Sequence, residues 1–249
     1  MGWLGAILVL ILSLAVWEWA AQTKRISPLY FPPPSIVAQA FGKMINSGEL
    51  WTGTAATLSR VFIGFAFGGL AGLVLGLVMG WSHRVRALVD PIIASLHPVP
   101  KLALFPLIMI IFGVGESSRL IVVALAMFFP MLIDTMAGAR HISPTHFEVA
   151  QSFRAGLWNV FTRVVLPGSL PMILSGTRLA LNIGLLMAFT VELIGAKEGL
   201  GVMIWFAWQT MRTEELYPTL ATIAILGVAL NITLQFIARR FIPWQVERA

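Results

Sequence analysis

Apolar residues in this chain come in long unbroken runs rather than in alternation or helical stripes. The runs cover about 3–21, 61–81, 91–115, 120–139, 173–196 and 218–238. Most are near the ~20 residues a helix needs to cross a ~30 Å hydrocarbon core. The pattern predicts an all-α integral membrane protein with about six transmembrane helices, forming a single domain over 1–249. The first run is broken only by Ser13 and Glu18 and has no basic residue ahead of it, unlike a cleaved secretory signal. It is read as a retained span. The third run is interrupted by Pro98, Pro100, Lys101 and Pro106, so it needs neighbours or water for its freed carbonyls. Val202 to Trp208 is too short to span and reads as a re-entrant or interfacial helix.

The stretches between the runs carry their own signals. Pro32-Pro33-Pro34 cannot continue a helix. Ser35 after it fits an N-cap, and Ile36, Val37, Ala40, Phe41, Met44 and Ile45 predict a short amphipathic helix ending near Gly48. Ser82 to Arg86 reads as a tight basic loop. Within the second run, Gly64, Gly68, Gly72, Gly76 and Gly80 recur every four residues, a strip of bare backbone suited to close helix packing. The longest polar stretch between the central runs is 140–171, between the fourth and fifth. There Ser143-Pro144 marks a helix start, and Phe147, Ala150, Phe153 and Leu157 form an apolar stripe. Leu166-Pro167 and Leu170-Pro171 mark its expected stop.

Composition narrows the class. Only 11% of residues are charged and 58% are hydrophobic. A soluble domain carries about 25% charged residues, so a water-soluble globule is excluded. The net charge of +6 does not point to nucleic acid, because the bases sit singly at the ends of apolar runs. Arg84, Arg86, Arg140, Arg154, Arg163, Arg239, Arg240 and Arg248, with Lys101 and Arg178 at span edges, fall on one side of a six-span topology. Lys24, Arg25, Lys43, Lys197 and Arg212, with Arg60 and Arg119 at edges, fall on the other. This is a weak excess, placing 140–171 and both termini in the cytoplasm. There are no cysteines, hence no disulfide, thiolate metal site or cysteine nucleophile. The four histidines have no metal-ligand spacing, and no G-x-x-x-x-G-K-[ST] phosphate loop is present. The chain is therefore not expected to be an enzyme.

The loop at 140–171 supplies a resemblance. Glu148-Val149-Ala150, then Arg154, then Leu166-Pro167, resembles the EAA motif of the permease subunits of ATP-binding-cassette (ABC) importers. Glu148, Ala150, Leu166 and Pro167 match without a gap. Val149 replaces the family's first Ala. Arg154 stands at the family's Gly, with Gly156 two residues on, so the turn at that Gly is expected to move to Gly156 or be lost. The resemblance extends from about Phe31 to the C-terminus and is closest to the branch associated with nitrate, sulfonate and taurine uptake. It implies a coupling helix at Glu148 inserting into separate ATPase subunits, which would carry ATP and magnesium, with no cofactor in this chain. It also implies a homodimer, two ATPase subunits, an external solute-binding protein, a bacterial inner-membrane location and a small anionic solute.

Charged groups inside apolar runs are the remaining candidates. An ionised carboxylate at mid-membrane costs about 2.5–3.5 kcal/mol on insertion scales. Asp134, Arg178 and Glu192 are candidates for lining a translocation pathway, the alternative being structural hydrogen bonds or ion pairs with Arg178 or Arg60. A different class, an ion-coupled secondary transporter, would use Asp134 and Glu192 as proton carriers. An enzyme acting on lipid would need polar residues clustered at one depth, which the sequence does not offer.

Overall fold

The computed structural model describes residues 2–242, with side chains from residue 5. Arg248 of the charge argument lies outside the described residues. The fold is all-α. The helices are α1 (Gly2–Gln22), α2 (Pro34–Asn46), α3 (Glu49–Trp81), α4 (His83–Leu96), α5 (Phe105–Phe112), α6 (Glu116–Arg140), α7 (Pro144–Ser152), α8 (Leu157–Glu192), α9 (Leu200–Gln209) and α10 (Thr213–Phe241). Five of them, α1, α3, α6, α8 and α10, are long and apolar enough to cross a membrane; α4 with Lys101–Phe112 supplies a sixth if that bent pair is one span.

Several boundaries differ from expectation. The helix of the second span begins at Glu49, not near 61, and takes in the polar Thr57 and Arg60, whose side chains are buried and bonded to Glu192 and Glu116. The third is no straight rod over 91–115: α4 and Lys101–Phe112 meet at 83°, since Pro98 and Pro100 remove two donors at the joint. Ser82 to Arg86 is not a loop but the start of α4, with Ser82 as its N-cap accepting from the Val85 N–H at 3.4 Å. The polar stretch also ends earlier than 171. α8 starts at Leu157 and runs through Pro167 and Pro171. A wide π turn at Phe161–Val165 precedes Pro167, and the Ser169 hydroxyl donates to the Val165 carbonyl at 2.7 Å, so carbonyls near the proline keep partners. At its far end α8 stops at Glu192 rather than 196.

The chain forms two compact units. One comprises 58–191 and 227–242 among the described residues. Its centre is α6, where Val122, Val123, Met127 and Leu132 are fully buried. The glycine strip of α3 faces this helix. A methyl at Gly72 would sit 2.5 Å from the Phe128 carbonyl oxygen, and one at Gly76 2.6 Å from that of Leu132. At Gly68 it would overlap the Ala124 carbonyl. The two backbones are thus in contact, which only glycine permits, and dispersion over that contact is what holds helices together where lipid offers no hydrophobic drive. α4 adds Ile93, Val85 and Val89 to a cluster with Met79, Phe129 and Leu132. α8 and α10 are joined by Asn182 and Asn231, whose amides bond reciprocally at 3.1 and 3.4 Å while Asn231 also donates to the Gly227 carbonyl.

The other unit comprises 2–57 and 192–226 of the described residues. Met44, Leu50 and Leu200 form its apolar centre with Phe41 and Met203 around them. Trp17 packs on Tyr217 with ring centroids 5.3 Å apart, and the Tyr217 hydroxyl donates to the Tyr30 carbonyl. Two helices here lack an N-cap side chain of their own, since Pro33 and Gly199 hold those positions. A distant carboxylate serves instead. Glu18 accepts from the Ser35 N–H at 2.9 Å and its hydroxyl at 2.7 Å. Glu192 accepts from the Gly201 N–H at 2.9 Å. Each satisfies an orphan donor and places negative charge at the positive end of a helix. Ser35, expected as the cap of α2, is the capped residue.

Candidate coupling surface

α6 leaves the bundle at Arg140, where the His141 N–H donates to the Ala137 carbonyl at 3.0 Å. Ser143 then takes the N-cap position of α7 and Pro144 its first turn. None of α7 is buried. Glu148 points to the surface and Val149 is half exposed. The helix is shorter than the stripe from Phe147 to Leu157 anticipates, because the backbone reverses after Phe153. The Ala155 N–H reaches back to the Ala150 carbonyl at 2.9 Å, and the Arg154 N–H to that of Gln151 at 2.8 Å. This crossed pair defines a Schellman stop, whose pivot residue must be left-handed and is usually glycine. Here it is Arg154, at φ +50°. Gly156 is ordinary extended backbone, φ −67° and ψ 159°. The turn therefore stays at position 154, neither transferred to Gly156 nor lost.

The reversal leaves a row of large apolar side chains uncovered. Phe153 is 84% exposed, Leu157 76% and Trp158 74%. Trp158 stacks on Phe161, and Phe161 on Trp81, with centroids 6.0 and 5.6 Å apart. Leu166 and Pro167 lie in the first turns of the long part of α8 beyond the π turn. The surface thus sits between α6, 25 residues long, and α8, 36 residues long. At 1.5 Å per residue these two helices are roughly 40 and 55 Å long.

A left-handed arginine costs about 1 kcal/mol relative to glycine. Arg154→Gly should therefore raise the thermal midpoint of the purified chain by about 2–4 °C, while Arg154→Val should lower it; a fluorescence thermal scan of the two variants reads the sign.

The expected pathway residues are not brought together. Asp134 is half-buried on α6, set in the notch left by Gly176 of α8, and makes no hydrogen bond or ion pair among the described residues. Arg178 is half-buried on α8 and forms no ion pair with it. Glu192 is a correction. It is 1% exposed, and besides capping α9 it accepts from the Thr57 hydroxyl at 3.0 Å, which in turn accepts from the Leu200 N–H at 3.0 Å. Its carboxylate caps α9. Glu192→Ala should lower the melting midpoint by about 5–15 °C, since unpaired buried donors cost about 1–3 kcal/mol each. Glu192→Gln keeps an acceptor oxygen and should lose less than half as much.

Sequence reasoning did not single out the ion cluster at the start of α6. Glu116 receives Arg60 of α3 in a two-pronged contact, Nε–Oε1 2.5 Å and Nη2–Oε2 3.1 Å, with Arg119 Nη1 at 3.6 Å. Both arginines are 5% exposed. The signal was available: one carboxylate between basic residues at two adjacent span ends.

Residues 68–246 match the family described as binding-protein-dependent transport system inner membrane component. The taurine transport system permease protein TauC of Escherichia coli is 37% identical over 239 residues, covering 94% of this chain and 87% of that protein. The putative aliphatic sulfonates transport permease protein SsuC of Bacillus subtilis is 32% identical over 244 residues, covering 98% and 88%. Among solved structures, an amino acid ABC transporter superposes with a TM-score of 0.67 at 19% identity, covering 80% of this chain and 98% of that one. The MetNI methionine ABC transporter in an inward-facing form gives 0.60 at 18%, covering 78% and 94%. These two likenesses concern the fold.

Proposed function

The chain belongs to the family of binding-protein-dependent transport system inner membrane components, and on that footing we propose that it forms the pathway of an ABC importer for a small sulfonate such as taurine. As a multi-pass member of that family it works with ATP-hydrolysing and solute-binding partners, and the chemistry of ATP belongs to the former. The observation that carries the mechanism is the uncovered α7 surface. Phe153, Leu157 and Trp158 keep most of their surface uncovered by the chain; seated in a cleft of an ATPase subunit, they are anchors of the size that dominates interface energy. Glu148 is the charged member of that surface, facing the partner rather than the bundle.

The reading continues to two ATPase subunits, each loaded with ATP and magnesium, and a second copy of this chain. Closure of the ATPases draws the two α7 surfaces together, and α6 and α8 carry the displacement into the membrane. Transport then requires that the ATPase contact α7 differently in its two states. Leu107, Ile110 and Val114, all more than half exposed, supply an apolar face on and after α5 for the second copy. The route for solute runs between the copies, so Asp134 and Arg178 are proposed to tune it rather than to carry protons. Glu192, fixed at the cap of α9, has no freedom for the proton-carrier role that an ion-coupled transporter would need.

Proteoliposomes holding this chain with its co-expressed ATPase and solute-binding partners should take up radiolabelled taurine in proportion to internal ATP. Uptake by the chain alone under a proton gradient, with no dependence on ATP, would overturn the reading.

A further inference from the structure

The end of α3, the start of α4, the end of α6 and the start of α7 enclose a cavity of about 440 Å³. Its walls include Trp81, His83, Arg86, Arg140 and Phe147, and no carboxylate among the described residues lines it. The guanidinium groups of Arg86 and Arg140 form no ion pair or hydrogen bond among the described residues. The first turn of α4, with its positive dipole end, opens at the same place. The charged side chains of the lining are therefore all basic, set against the carbonyl ends of α3 and α6, and an oxyanion is the chemistry those side chains would hold.

Its depth says which oxyanion. α3 and α6 are two of the spanning helices, and the cavity is lined by the last residue of each, Trp81 and Arg140. That is the headgroup level of a bilayer. Trp81 of the lining stacks on Phe161, an arrangement suited to an interface where rings meet both acyl chain and water. Basic pockets between spans on the cytoplasmic side are the kind that seat lipid phosphates.

We propose that this cavity binds the phosphate headgroup of an anionic phospholipid, in the leaflet on the side of the Glu148 surface. Because Arg140 and Phe147 also bound the segment that leads into α7, the lipid would brace the exit of α6 where load enters. The proposal does not depend on which solute is carried or on which partner docks.

The test uses the full chain in nanodiscs of phosphatidylcholine doped with phosphatidylglycerol, with lipids retained after detergent extraction counted by native mass spectrometry. Wild type should retain phosphatidylglycerol over phosphatidylcholine. Removal of a basic residue at the membrane surface weakens anionic lipid binding by about fivefold, so Arg86→Gln with Arg140→Gln should cut retention by about twentyfold or more. Arg84→Gln, on the same helix but outside the lining, should cost no more than that single-charge factor of about fivefold, and Arg86→Lys with Arg140→Lys should restore most of the retention, which separates charge from folding. Equal retention by wild type and the Gln pair would overturn the proposal. So would displacement of the lipid by millimolar inorganic phosphate, which would assign the cavity to a free anion.

Discussion

Gly68→Leu should abolish the folded state: the protein is expected to be recovered, if at all, as aggregate on size-exclusion chromatography in mild detergent. The methyl of even an alanine at this position would overlap the Ala124 carbonyl of α6, and a backbone atom cannot rotate away as a side chain can. Neighbouring positions cannot compensate, because Gly72 and Gly76 hold α3 against the Phe128 and Leu132 carbonyls at the same spacing. Overpacking a well-filled core costs about 1–3 kcal/mol where side chains can shift, and here it would separate two rods along several turns. Gly156→Ala is the matching control. It has nothing within 4 Å of the added methyl and an ordinary φ, so it should fold as wild type does.

The second large effect is functional. Phe153→Ala combined with Trp158→Ala should reduce capture of the ATPase partner by roughly a hundredfold or more, at about 1–3 kcal/mol for each lost anchor. Phe153 is 84% exposed and Trp158, 74% exposed, gives up only its stacking on Phe161, so the thermal midpoint of the purified permease should fall by no more than a few degrees. Pull-down with a graded concentration of ATPase subunit, read beside a thermal scan, separates lost docking from lost folding. Retained docking would show that this apolar row serves another contact.

The two effects differ in how far they were legible beforehand. The spans were readable because a bilayer leaves a helix few choices. Some twenty apolar residues in a row must cross it, and a four-residue glycine period must lie along one face. The glycine strip's partner was not readable, since nothing in Ala124 or Phe128 marks a carbonyl as the contact. The motif around Glu148 was readable residue by residue, but the turn was not. Glycine preference favoured Gly156, whereas the crossed hydrogen bonds to Ala150 and Gln151 fix the pivot at Arg154. Leu166-Pro167 read as a stop because proline ends most helices; the π turn before it absorbs the missing donor. Glu192 was left with two readings, pathway or structural hydrogen bond, for a similar reason. A carboxylate in an apolar run suggests a pathway until its acceptors are known to be spent on Thr57 and Gly201, contacts that local pattern does not reveal.

The account's central claim is that the Glu148 helix is a water-facing lever covered by an ATPase on the inner side. The protein has no cysteine, so Val149→Cys gives one reporter without background. The measurement is its labelling by a membrane-impermeant maleimide in intact and permeabilised cells, with and without the ATPase subunits. The account predicts no labelling until the cells are opened, then strong labelling that the co-expressed ATPase suppresses. Labelling from outside intact cells, or labelling that the ATPase leaves unchanged, would contradict it.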